Sequence, residues 1–252
     1  MMLSSDDAPA LPLWINGHAF LTVVENFYDI VDPTKGSTLR RTPLCGADAC
    51  NEAIAATVAA LPAWTATPLS SRQALLTTVA NELERYATHF GKLIAEETGK
   101  DAEAASNEVA AAVATLRQDF SLVAASQAPG NVLALLVDDS APLLGAVALI
   151  APALVGGHGI VIKPSPKAPS CALALVELLS RAGLADGAAN LVHGDDAVIA
   201  ALAAHGEVAQ LAFAGNENLA VKIAALTERN GKALFATPIA HASSAWASRL
   251  QG

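Results

Sequence analysis

From Val132 onward, short apolar runs alternate with helical segments, and this alternation restricts the fold more than any other feature of the chain. The runs NVLALLV, GIVIKPS, NLVHG and VAQLAFAG are separated by stretches over 142–155, 170–182, 198–204 and 219–227 with apolar residues at three-to-four spacing. A strand that leaves through a helix and returns as a strand forms a right-handed βαβ unit. The pattern therefore predicts an α/β fold: a mostly parallel, doubly wound sheet of about five strands with helices on both faces. Composition agrees, because 53% of the residues are hydrophobic but only 4% aromatic and 15% charged. Such an aliphatic chain is far from the disordered class and suits helices packed closely on a sheet.

The segment ahead of the alternation reads differently. Residues 1–45 form an extended arm, with hairpin and turn signals at Asn16-Gly17 and at Asp32-Pro33-Thr34-Lys35-Gly36. Three helices are expected over 47–61, 70–97 and 101–121, with Ser70 and Ser71 as candidate caps and Thr98-Gly99-Lys100 as a stop. The chain is thus expected to be a single domain over 1–252: an arm (1–45), a helical part (46–125), an alternating part (130–240) and a tail (241–252). Residues 141–162 carry no Asp, Glu, Lys or Arg and are long enough to span a bilayer. Pro142, Gly145, Pro152 and the run Gly156-Gly157-His158-Gly159 break them into helix, turn and strand, which reads as buried core rather than membrane.

Charge and motifs narrow the chemistry. A net charge of −9 without a basic cluster argues against nucleic acid and anionic lipid as partners. The first residues have no basic region followed by an apolar one, and Cys45, Cys50 and Cys171 fit no CxxC or metal spacing, so a reducing cytoplasm is expected. The phosphate loop GxxxxGK[ST], the GxSxG elbow and the HExxH zinc motif are all missing, and no metal is expected. Gly157-His158-Gly159 imitates the start of GxGxxG, but Ile162 stands at its last glycine and the strand follows it. The adjacent pairs Glu96-Glu97, Asp138-Asp139 and Asp195-Asp196 send their side chains different ways and read as solvated turns. One anion site stands out at residues 213–218, where an apolar strand turns through Gly215 into a helix whose free N–H groups can face a phosphate; the alternative is a plain helix cap.

Taken in order, several motifs resemble the N-terminal half of the aldehyde dehydrogenase superfamily. They are Trp14-Ile15-Asn16-Gly17, the Asp32–Gly36 turn, Pro62-Ala63-Trp64, Glu96-Glu97-Thr98-Gly99-Lys100, Ala151-Pro152-Ala153-Leu154, Val161-Ile162-Lys163-Pro164-Ser165, Ala182-Gly183-Leu184 with Gly187 and Asn190, and Phe213-Ala214-Gly215. The resemblance implies a Rossmann-like NAD-binding domain, with Lys163, Ser165, Gly215 and Asn216 as cofactor residues. It also implies that the nucleophilic cysteine belongs to a second domain, beyond the point where this chain stops.

The same resemblance marks departures. The oxyanion asparagine of the family falls at Ser140 and its general-base glutamate near Thr237, and neither residue can do the same work. Pro166 replaces a glutamate that would bind the adenosine ribose, a loss of roughly 10- to 100-fold in affinity, so weak NAD binding is expected at most. The family's oligomerisation hairpin is cut to a short Gln127-Ala128-Pro129 link, so its usual tetramer is not implied. Three readings follow: a non-catalytic protein that assembles with or regulates another enzyme, an NAD-binding subunit of a split aldehyde dehydrogenase, or a decaying gene product. The helix over 219–226 is apolar on more than one face, so self-association or a hetero-complex is expected unless the chain's own tail covers it.

Overall fold

The structure, a computed structural model, describes residues 8–125 and 130–251. The Gln127–Pro129 link lies outside them. The arm forms two hairpins, β1 (Leu13–Ile15) with β2 (His18–Phe20) and β3 (Phe27–Val31) with β4 (Thr38–Pro43). Asn16 and Gly17 both adopt positive φ, 53° and 83°, as a tight two-residue hairpin turn requires. The alternating part supplies β5 (Val132–Val137), β6 (Gly159–Pro164), β7 (Ala189–Leu191), β8 (Val208–Ala214) and β9 (Leu234–Thr237). These five are parallel and lie in the order β7-β6-β5-β8-β9. The arm adds β1 and β2 antiparallel beyond β7, giving this sheet seven strands among the described residues.

The period of two along each strand divides the core. Leu133, Leu135, Ile160, Ile162 and Ala212 face one cluster, while Val132, Ala134, Leu136, Val161 and Phe213 face the other. The first is covered by α2 (Leu69–Arg85), α3 (Ala87–Thr98), α4 (Ala102–Leu116), α6 (Pro142–Val155) and α7 (Ser170–Arg181). The second lies under α1 (Ala47–Ala66), α8 (Asp196–Ala204) and α9 (Glu217–Arg229). Residues 141–162 are α6, a turn through Gly156 and Gly157, and β6, all within the core, as their prolines and glycines predict. Among the described residues no single helix is long and apolar enough to cross a membrane.

The helical part departs from the three expected helices. It holds five, including the short α5 (Ser121–Ala125), because the segment over 70–97 breaks at Tyr86. The bend returns Phe90, Leu93 and Ile94 to the core already entered by Leu76, Val79 and Leu83. Ser70 and Ser71 are exposed in the first turn of α2, which Pro68 starts, and make no capping bond. Gly99 does end α3, in a left-handed conformation with φ 75°. Helix α1 runs past Pro62 to Ala66, its last turn held by the buried Trp64.

The tail forms α10 (Ala242–Gln251), which packs on α6 and α5. Trp246 is fully buried there and its Nε1 donates to Leu149 O at 3.1 Å. The tail therefore leaves the sheet edge open: α10 lies on a face, and β9 pairs only with β8 among the described residues.

Asn190 ties the arm to the sheet. Its Oδ1 accepts from Asn16 N at 2.8 Å, and its Nδ2 donates to Thr57 Oγ1 at 2.8 Å and Gly187 O at 2.7 Å. Asn190 and its bonds to Thr57 and Gly187 are buried, so Asn190→Ala strands several polar groups at once. We expect a loss of about 2–3 kcal/mol in urea unfolding; a change under about 0.5 kcal/mol would show that water replaces the amide.

Candidate functional site

Strand order reverses between β5 and β8, and the carboxyl ends of parallel strands at such a switch point are where this architecture holds its ligands. The four proposed cofactor residues, Lys163, Ser165, Gly215 and Asn216, all come to this end of the sheet. Lys163 is the penultimate residue of β6, so its side chain starts inside the sheet, and the residue is 6% exposed. It lines a cavity of about 230 Å³ walled by Leu136, Phe213, Ile199 and Ile223. Its ammonium makes no hydrogen bond or ion pair with a described residue. Burial pulls its pKa down to about 8, against the opposing pull of Asp196 and Asp195. Ser165 also lines the cavity, and its Oγ donates to Asp139 Oδ1 at 3.1 Å.

The turn from β8 into α9 is built differently from an open anion site. The N–H of Asn216 donates to Asp138 Oδ2 at 2.8 Å, and Ser140 Oγ donates to the same oxygen at 3.0 Å. Asn216 turns its own Oδ1 back to accept from Asn218 N at 2.9 Å and Leu219 N at 3.3 Å, which makes it the N-cap of α9. Gly215 must be glycine, since a Cβ there would stand 2.4 Å from Asp138 Cβ. Burial works to raise the Asp138 carboxyl, but the hydrogen bonds from Asn216, Asp139 and Ser140 outweigh it and hold it below the usual range.

The same device recurs at the other helices of this end. Glu108 Oε1 accepts from Leu143 N at 2.9 Å and Leu144 N at 3.2 Å at the start of α6, while its Oε2 pairs with Lys100 Nζ at 2.6 Å. Glu97 accepts from Ser170 N at 3.1 Å and from Ser170 Oγ at the start of α7, and from Arg40 Nη2 at 3.1 Å. Burial pushes the Glu97 carboxyl up, opposed by Ser170 and Arg40. Asp195 caps α8 through Ala197 N at 2.9 Å. Helices α6, α7 and α8 thus each start on a carboxylate of the chain itself, which satisfies free N–H groups and suits the positive dipole end, while at α9 the carboxylate holds the N–H of the capping Asn216.

Two of the three acidic pairs therefore differ from solvated turns. Glu97 and Asp138 are buried structural carboxylates, whereas Asp195 and Asp196 are exposed as expected. Local sequence carries no signal for this, because the partners lie 73 and 78 positions away. The cysteines offer no nucleophile: all three are free and buried, burial pushes the thiols of Cys45 and Cys50 up to about 11 and about 12, and burial likewise raises that of Cys171.

Sheet order and switch-point cavity define an open α/β domain of the Rossmann-like type. Residues 22–237 match the aldehyde dehydrogenase family, and the chain belongs to it. It is 30% identical over 221 residues to malonate-semialdehyde dehydrogenase of Pseudomonas aeruginosa, covering 81% of this chain and 44% of that enzyme. Methylmalonate-semialdehyde dehydrogenase of Oceanimonas doudoroffii superimposes with a TM-score of 0.83 at 27% identity, over 91% of this chain and 50% of that one. PnpE, solved in complex with nicotinamide adenine dinucleotide, gives 0.81 at 28% identity over 90% of this chain and 50% of its own. The chain thus spans about half the length of the relatives it matches.

Within that family the departures acquire positions. Ser140 follows β5, with its hydroxyl committed to Asp138, and its carbonyl accepts from Lys100 Nζ at 2.6 Å. Thr237 ends β9, buried, with its Oγ1 donating to Pro238 O at 3.2 Å. Lys163 and its cavity fit the adenosine end of NAD, but the Asp138 carboxylate at the α9 turn does not fit a pyrophosphate.

Proposed function

We propose that this chain is a non-catalytic aldehyde-dehydrogenase-like protein of the cytoplasm that acts by association, first with a second copy of itself and otherwise with a partner enzyme. The observation that carries the reading is the surface of α9. Ile223 and Thr227 turn inward, while Leu219 is 36% and Val221 66% exposed, beside the edge of β9 that no described strand pairs with. A groove of about 340 Å³ runs between them, lined by Ala220, Val221, Ala224, Ala236 and Pro238. The tail packs on α6 and so leaves this strip uncovered. An apolar strip along an open strand edge favours pairing with another chain. Three buried, unpaired thiols accord with a reducing compartment.

Mass by light scattering tests it. The wild type is expected as a dimer or larger, and Val221→Glu, a change at an exposed position, as a folded monomer. A wild type that is a monodisperse monomer and captures nothing from its native lysate would end this reading.

One observation favours a second reading, a subunit that carries NAD for a catalytic half on another chain: Lys163 is buried, has no partner among the described residues and lines a cavity. Its relatives include a protein solved with the dinucleotide. That reading expects NAD to bind, and Lys163→Met to abolish the binding.

A further inference from the structure

We propose that Asn16 is a site of spontaneous covalent modification: the Asn16-Gly17 turn converts its asparagine to aspartate and isoaspartate, and the isoaspartate form unclips the arm from the sheet. The chain has two Asn-Gly steps, at Asn16 and at Asn230, and the fold treats them oppositely. Asn16 is exposed, and neither its side-chain amide nor the Gly17 N–H makes a hydrogen bond with a described residue. Gly17 is held at φ 83°, with Asp186 Oδ1 2.1 Å from where a Cβ would stand, so position 17 has to be glycine. Nothing on residue 17 then hinders the approach of its nitrogen to the Asn16 side chain. At Asn230 both reacting groups are held. Its Nδ2 donates to Leu226 O at 2.9 Å, and the Gly231 N–H donates to Glu228 O at 3.0 Å.

The reaction needs water alone. The Gly17 nitrogen bonds to Asn16 Cγ while its proton and the side-chain NH2 leave together as ammonia, which closes an imide ring. Water then opens the ring at either carbonyl, giving aspartate or isoaspartate. An N–H fixed on a carbonyl keeps its proton and its direction, so closure is slowed at Asn230 and free at Asn16. In isoaspartate the main chain runs through Cβ and Cγ, one carbon longer within a two-residue turn. The register of Leu13 with Phe20, Trp14 with Ala19 and Ile15 with His18 has no place for it. The Asn16 N–H is also the donor to Asn190 Oδ1, beside the point where Trp14 of β1 pairs with Leu191 of β7. Either product adds a carboxylate at a turn that Asp186 already touches, which works against the same clip. This goes beyond association: the turn lies at the β1 end of the sheet and α9 packs on β9 at the other.

Ageing the purified whole chain at mildly alkaline pH, folded and in urea, tests it, with peptide masses and isoaspartate-specific methyl transfer as readouts. In the folded wild type Asn16 is expected to gain one mass unit about tenfold or more faster than Asn230, the scale of one hydrogen bond, and in urea the two rates should agree within about threefold. Limited proteolysis should cut the arm of the isoaspartate fraction about fivefold or more faster than that of fresh protein. Asn16→Gly suits the positive φ and has no amide to lose, so it should age without that gain. The proposal is overturned if Asn230 converts as fast as Asn16 in the folded chain, if the same difference persists in urea, if the isoaspartate fraction is cut no faster, or if aged Asn16→Gly loosens as the wild type does. Should Asn16→Gly not fold, the comparison of folded chain with urea still decides. Particle mass is no part of these readouts, so the association reading stands or falls separately.

Discussion

Trp246→Ala is expected to lower the stability of the whole domain by about 3–5 kcal/mol, the cost of removing a large buried aromatic and leaving its cavity. The indole is fully buried between α10 and α6, its ring centroid lies 5.1 Å from that of Phe235 on β9, and its Nε1 donates to Leu149 O. Losing it also leaves a carbonyl in the middle of α6 without that donor. For a chain of this size the melting temperature should fall by roughly 6–20 °C. A fall of under about 1 kcal/mol would mean that the tail docks without supporting the core.

Acid should unfold the protein through two histidines. His158 accepts from Asn131 N at Nδ1, 3.1 Å, so protonating that nitrogen breaks the bond; burial, with Arg72 adding to it, brings its pKa down to about 4. His193 is buried with Nε2 on Pro12 O at 3.1 Å and Nδ1 unpartnered. Burial brings it to about 4 as well, opposed by the Pro12 bond and aided by nearby Lys163. Between pH 6.5 and about 4 the unfolded chain takes up protons that the folded one refuses. The stability is therefore full above that window and is lost as pH falls through it, by a few kcal/mol in all (on the order of one to three per histidine). Urea midpoints measured from about pH 7 down to about pH 4 should show this slope, and His158→Gln with His193→Gln should flatten it. An unchanged slope in the double variant would assign the acid lability to other groups.

How far the sequence reaches depends on the range of the forces involved. The period-two and three-to-four patterns are local, and they place β5, β6 and β8 and the helices between them correctly. The resemblance names Lys163, Ser165, Gly215 and Asn216, and the fold brings them to one end of the sheet. What local patterns do not carry is tertiary capping. That Asp138 bonds Asn216, that Glu108 starts α6 and that Glu97 starts α7 follow from helices meeting across the sheet end, and each acid looks like an ordinary surface residue in its own segment. The break at Tyr86 is of the same kind, since the segment over 70–97 is helical throughout by propensity and bends only to bury Phe90 and Ile94 on the same core as Leu83. Ile223 likewise reads as one of several apolar residues on α9, and only its burial against Phe213 and Ile199 separates it from the exposed Leu219 and Val221.

The proposed reading expects this chain, taken alone, to carry out no aldehyde oxidation. Its three thiols are buried, Ser140 and Thr237 spend their hydroxyls on internal bonds, and the Asn216 N–H at the start of α9 is taken by Asp138. The most direct measurement is NADH formation by the purified 252-residue chain given NAD and malonate semialdehyde. The predicted rate is no higher than that of a Lys163→Ala, Cys171→Ala control; NAD-dependent turnover above that control would contradict the account.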